Sequence, residues 1–166
     1  MKRFLLTMAV ALVPVMSFAQ PNVSGTWVRD SAKSDVVPNT MYWLTRGVDA
    51  GGGRGRNTQL VLEIQQAAGR IDIADPARNP RTLWPDGKPH SVPTDTGLQT
   101  ATVTAKVLGD TLTVSSTQPF GGMPGNSILH VTETWSVSPD GKVLTIKTER
   151  ELPASRQTFT EMFNRK

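Results

Sequence analysis

From Asn57 onward, apolar and polar residues alternate with period two. Leu60, Leu62 and Ile64 alternate with Val61, Glu63 and Gln65, and Ile71 and Ile73 follow after Ala68-Gly69. Ala101, Val103, Ala105 and Val107 alternate with Thr102, Thr104 and Lys106. Leu112 and Val114 alternate with Thr111, Thr113 and Ser115. Leu129, Val131, Trp135 and Val137 share one face, as do Leu144 and Ile146, and later Phe159 and Phe163. A period of two places one face against a core and the other in water. The threonines and β-branched residues suit a pleated surface. No stretch has the spacing of a long amphipathic helix.

Three turn signals set the pairing. Gly109-Asp110 fits a two-residue hairpin turn, and pairing about it sets Val107 beside Leu112 and Ala105 beside Val114. Pro139-Asp140-Gly141-Lys142 joins a second pair. Opposing Ser138 with Val143 there aligns Trp135 with Ile146. Ala68-Gly69 closes a third hairpin and aligns Ile64 with Ile73. In each hairpin the apolar sets meet on one side, and a slip of one residue would separate them.

The predicted strands are 24–30, 59–66, 70–75, 80–84, 98–108, 111–118, 127–137, 143–151 and 156–164. The expected fold is all-β, an antiparallel up-and-down meander of about eight to ten strands closing into a barrel. An open β-sandwich is the alternative. Three segments depart from the alternation. Residues 34–57 hold Met41-Tyr42-Trp43-Leu44 and the tract Gly51-Gly52-Gly53-Arg54-Gly55-Arg56, and are expected to form a loop insertion arching over the barrel mouth. Pro85 to Gly97 holds Pro85, Pro89 and Pro93 and reads as irregular. Pro119 to Gly125 reads as a hairpin loop with Phe120 and Met123 at its tip.

The first residues differ again. Lys2 and Arg3 precede an apolar run from Phe4 to Met16, and Ser17-Phe18-Ala19 is a small-x-small cleavage site. This is the layout of an export signal, so residues 1–19 are expected to be removed and residues 20–166 to form one barrel domain. The expected location is the periplasm or the medium. The run is short for a bilayer, and no other stretch of ~18 apolar residues exists, so no membrane span is expected.

Composition narrows the function further. Lys and Arg number 18 against 14 Asp and Glu, a net +4. Lys2 and Arg3 lie in the leader, so the remainder carries 16 against 14, a net +2, and a nucleic-acid partner is not implied. There is no cysteine. The domain is therefore expected to lack a disulfide, a thiol nucleophile, a cysteine metal site and a lipid anchor.

Ser24-Gly25-Thr26-Trp27 opens the first strand. It resembles the G-x-W start of the lipocalin and calycin families. With Ser31-Ala32-Lys33-Ser34-Asp35 and the late Ser138–Lys142 hairpin, the layout resembles small exported lipocalin-like bacterial proteins of unassigned function. The resemblance implies that Trp27 plugs the closed end of the barrel beneath an arginine near the last strand. Arg165 and Arg156 are the candidates.

No catalytic set emerges. His90 and His130 are the only histidines and have no metal-ligand spacing. His130 falls on the wet face of its strand, and Asp86 to His90 reads as a turn. No G-x-S-x-G elbow is present. Glu149 and Glu151 read as solvated charges, and the Gly51–Arg56 tract as a solvated loop. Glu133 is different. Alternation sets it on the apolar face, where a carboxylate needs a partner, a wet cavity or a ligand. The hairpin register places Thr148 opposite it and Arg150 diagonal to it. Trp135 shares that face, while Trp43 and Trp84 flank irregular segments.

The expected function is binding of a small or apolar molecule inside the barrel, with no cofactor, metal or catalysis. The candidate ligand-binding residues are Trp43, Trp84, Glu133, Trp135 and Arg150. A filled barrel that docks on another envelope protein is the alternative. A calycin-like hydrolase or isomerase is a third.

Overall fold

A computed structural model describes residues 21–35, 61–75, 78–93, 100–119, 128–152 and 155–166. They form ten strands: β1 (Gly25–Arg29), β2 (Val61–Ala67), β3 (Arg70–Asp75), β4 (Arg78–Leu83), β5 (Asp86–Pro93), β6 (Thr100–Leu108), β7 (Thr111–Pro119), β8 (Ile128–Val137), β9 (Val143–Leu152) and β10 (Ser155–Arg165). All pairings are antiparallel and run in the order β4-β3-β2-β1-β10-β9-β8-β7-β6-β5. The sheet is one continuous surface rather than two packed layers, so the sandwich alternative is set aside. β4 and β5 are its edges, yet they are consecutive in the chain, and β4 also approaches β6. The meander thus curls round until its two edges face each other.

The three hairpins have the expected registers. Val107 pairs with Leu112 and Ala105 with Val114. Trp135 pairs with Ile146, and Ile64 pairs with Ile73. Gly69, Gly109 and Gly141 take φ values of 73°, 62° and 72° at the turns, a region that glycine enters without steric penalty. In the last hairpin Asp140 accepts from Ser138 Oγ (2.6 Å) and from the Lys142 amide (3.1 Å). These two bonds, the first the larger cause, hold its carboxyl below the usual aspartate range.

One expectation is overturned. Pro85 to Gly97 is not irregular throughout, because Asp86–Pro93 forms β5. Asp86 to His90 is therefore not a turn. β5 is an edge strand, where a missing N–H removes no ladder bond on the free side, so Pro89 and Pro93 are tolerated. The register shifts between Asp86 and Pro89, and Gly87 has φ 73° at that irregularity.

The Ser31–Asp35 segment seals a gap. β1 ends at Arg29, opposite Phe163, leaving the next part of β10 without a strand on that side. Residues after β1 run along this edge. The Asp30 amide donates to Met162 O (2.8 Å) and the Asp35 amide to Thr160 O (2.8 Å). The Met162 amide donates to Ser34 Oγ (2.9 Å) and the Thr160 amide to Asp35 Oδ2 (2.7 Å). Ser34 and Asp35 side chains thus supply acceptors that a longer β1 would have given from its backbone.

The core is polarised along the barrel. One end carries the tight turns and the start of β1. Val23, Trp27, Leu62, Leu83, Leu112, Leu144, Ile146 and Phe163 are wholly buried, and Trp135 is 1% exposed. Smaller and polar inward residues lie in the rows farther from these turns. Residues 36–60, 76–77, 94–99, 120–127 and 153–154 lie outside the described residues. The expectations for Trp43, Met41–Leu44, Gly51–Arg56 and Phe120–Met123 fall on them.

Candidate functional site

At the turn end, Trp27 is fully buried and its Nε1 donates to Val23 O (2.9 Å). The Arg165 guanidinium lies 4.3 Å from the Trp27 ring centre. It is tied down by donation from Nη1 to Ser24 O (2.8 Å) and from Nε to Gly141 O (2.6 Å). Of the two candidates, the arginine over Trp27 is thus Arg165. Arg156 sits on the outer face, paired with Glu149 (2.8 Å) and Glu151 (3.5 Å).

The glycine of the G-x-W motif has a physical cause. Gly25 has φ 139°, and a Cβ there would lie 2.7 Å from Arg165 Nη1. A side chain would be strained and would push the arginine off the tryptophan. Gly25→Ala is expected to cost roughly 1–3 kcal/mol in urea unfolding. A change within about 0.3 kcal/mol would mean that the glycine has no such role.

The second group lies inside the barrel. Inward residues line up in rows across the strands. One row is Val103, Ser116, Val131, Arg150 and Gln157, on β6 to β10. The next row toward the turns is Ala105, Val114, Glu133, Thr148 and Phe159. The third is Val107, Leu112, Trp135, Ile146 and Glu161. Six buried polar side chains point into these rows or beside them: Ser116, Gln118, Glu133, Thr148, Arg150 and Glu161.

Glu133 is wholly buried, and its Oε2 accepts from Trp135 Nε1 (2.8 Å). Arg150 is 2% exposed, and its Nε donates to Gln157 Oε1 (2.6 Å). The inward positions expected for Glu133, Trp135 and Arg150 are therefore found, with Thr148 opposite Glu133 and Val131 opposite Arg150. The structure brings these three together on β8 and β9.

Trp84 stands apart, at the β4–β5 corner. It is partly buried against the core and stacks on His90, with ring centres 4.6 Å apart. His90 lies opposite Val103, and its Nε2 is 3.1 Å from both Asp86 carboxylate oxygens. The Lys88 amide, then His90, hold the Asp86 carboxyl below the usual range. A lowered carboxyl pKa gives stability that is complete above the unfolded value and is lost as pH falls through the folded one. His130 is exposed on the outer face, and its Nδ1 lies 3.2 Å from Thr117 Oγ1.

Three buried polar residues, Ser116, Gln118 and Glu161, went unremarked in the sequence. Glu161 lies between Phe159 and Phe163 and so shares their face, the same alternation that exposed Glu133. It is 2% exposed and pairs with Arg29 Nε at 3.1 Å. Ser116 continues the Leu112–Val114 face of β7 and is 3% exposed. Among the described residues no group of three or more His, Asp or Glu side chains is placed to hold a metal ion. No helix among them is long and apolar enough to cross a membrane.

No family model matches the sequence, and no curated protein matches it. Solved structures do match by shape. The zebrafish ileal bile acid-binding protein complexed with cholic acid superposes with a TM-score of 0.56 at 16% identity, covering 86% of this chain and 98% of that one. The fold is calycin-like. Fatty-acid-binding protein 1 of Echinococcus granulosus gives 0.50 at 11% identity, covering 86% and 96%. A secretory abundant heat soluble protein from Ramazzottius varieornatus gives 0.50 at 11% identity, covering 90% and 98%. Likeness at such identities carries the fold, and the chemistry must come from this chain's own residues.

Proposed function

We propose that this chain is an exported calycin-like protein that binds one small, mainly apolar molecule inside its barrel. The observation that carries the reading is the polar band at Ser116, Glu133, Thr148 and Arg150, buried on the inner face of the sheet. Burying polar and charged groups is costly, and a core that served stability alone would be better filled with apolar residues. A few polar groups set among apolar walls are what a ligand site needs to orient its occupant. The walls near this band are small, with Ala101, Val103, Ala105 and Val114 facing inward. Two structural neighbours are named for binding a bile acid and fatty acids, which supports a ligand of that general kind. Glu133, Trp135 and Arg150 are the proposed ligand-facing residues, and Trp84 and Trp43 the proposed flanking ones. The leader supports export, because Met1 to Ala19 has the charged start, apolar run and cleavage site of a signal.

Native mass spectrometry of protein recovered from the cell envelope or medium tests both parts. The expected polypeptide begins at Gln20 or within a residue or two of it, and carries one small molecule that is lost on denaturation. A chain beginning at Met1 would remove the export part. A bare protein that also binds no apolar probe would favour the filled interaction module.

A further inference from the structure

The polar side chains of the inward rows differ in how far they can be reached. Ser116, Glu133, Thr148, Arg150 and Glu161 are buried. Ser116 Oγ and Arg150 Nη1 are closed off from any incoming molecule. Gln157 is only partly buried. It lies on β10 opposite Arg150, in the row farthest from the turn end, and alternation sets it on the same inner face as Phe159 and Glu161.

Arg150 fixes which way the Gln157 amide points. Its Nε donates to Gln157 Oε1 at 2.6 Å. A guanidinium has donors and no acceptor, so the oxygen is the only end of the amide that can face it. The Nε2 group is thereby turned away from Arg150. It makes no hydrogen bond among the described residues, and it is not enclosed as Ser116 Oγ is. A bond to a charged donor also polarises the amide and strengthens its N–H groups as donors. The same row holds the apolar Val103 and Val131. An apolar wall with one oriented donor favours an occupant that offers an acceptor at that point. A donor-only group such as an ammonium finds no match there, because the amide oxygen is turned to Arg150.

We infer that Gln157 touches the ligand and donates from Nε2 to an acceptor oxygen on an otherwise apolar occupant. This rests on the binding reading above and deepens it, by naming a contact residue and the head-group chemistry it takes. The test is displacement of diphenylhexatriene, a hydrocarbon fluorophore with no hydrogen-bonding group, from the purified chain by dodecan-2-one and by dodecanoate. Gln157→Glu keeps the size of the side chain and the acceptor for Arg150 Nε, and replaces only the donor. It is expected to weaken dodecan-2-one roughly three- to tenfold and to leave diphenylhexatriene within about twofold. Dodecanoate is expected to weaken more than the ketone, because like charge adds to the lost donor. Gln157→Met has neither polar group and no charge, and is expected to weaken the ketone alike, which carries the test if the glutamate variant does not melt as a folded protein. Unchanged dodecan-2-one affinity in either folded variant would overturn the inference. With the glutamate, that result would leave Gln157 only the task of holding Arg150, which a glutamate also performs. Parallel loss of the ketone and the hydrocarbon would overturn it too, since Gln157 would then shape the barrel rather than bond its occupant. If diphenylhexatriene does not bind the parent, the binding reading fails, and this one fails with it.

Discussion

Trp27→Ala is expected to cost about 3–5 kcal/mol in chemical unfolding, as a large core deletion does. Three losses coincide at this position. The ring is wholly buried, so its removal leaves a cavity at the turn end. Arg165 loses the surface it lies on at 4.3 Å. The Val23 carbonyl loses the indole donor that binds it at 2.9 Å. Because Arg165 also ties β10 to Ser24 and Gly141, the closing β1–β10 pairing is expected to loosen with it. A measured loss below about 1 kcal/mol would contradict the plug role and make the G-x-W resemblance accidental.

The second large effect is expected at Glu133 and Arg150. Both are buried, and they occupy diagonal positions on paired strands. Removing one charge leaves the other in a poorly solvated interior, at about 3–5 kcal/mol. Glu133→Gln is the cleaner change on one side, because an amide oxygen still accepts from Trp135 Nε1. Arg150→Met keeps length on the other. The double variant is expected to lose less than the two single losses together, with a coupling of about 1–3 kcal/mol in a double-mutant cycle. Additive losses would mean that the two charges answer to other groups, Trp135 and Gln157 among them. Single losses within about 0.5 kcal/mol would place both side chains in solvent and contradict their burial.

Local pairing and a curling meander were legible in the sequence, and the particular contacts that join its two ends were not. The hairpins at Gly69, Gly109 and Gly141 each join neighbours in the chain, so turn type and alternation fixed their registers, and through them the inward side of Glu133 and Arg150. β5 escaped notice because Pro89 and Pro93 argue against a strand, and only its place at the sheet edge makes them harmless. That error hid His90, whose stacking on Trp84 depends on β5 existing. The choice between Arg165 and Arg156 needed the β1–β10 pairing, which joins the two ends of the domain. Local spacing carries no information about such a contact. Ser116 and Glu161 obey the same alternation as Glu133. What alternation cannot show is which partner a buried polar group has found.

The central claim is that a ligand occupies the small-walled rows beside the polar band, and filling that space tests it most directly. Ala105 is buried opposite Val114, which separates it from Glu133 in the same row. If the rows hold room for a guest, the parent is expected to bind one Nile red per chain, and Ala105→Phe is expected to fold with a melt near that of the parent and to lose that binding. A packed interior gives the opposite pattern. Overpacking would then cost about 1–3 kcal/mol, and any Nile red bound by the parent would remain bound in the variant, because it would lie outside the barrel.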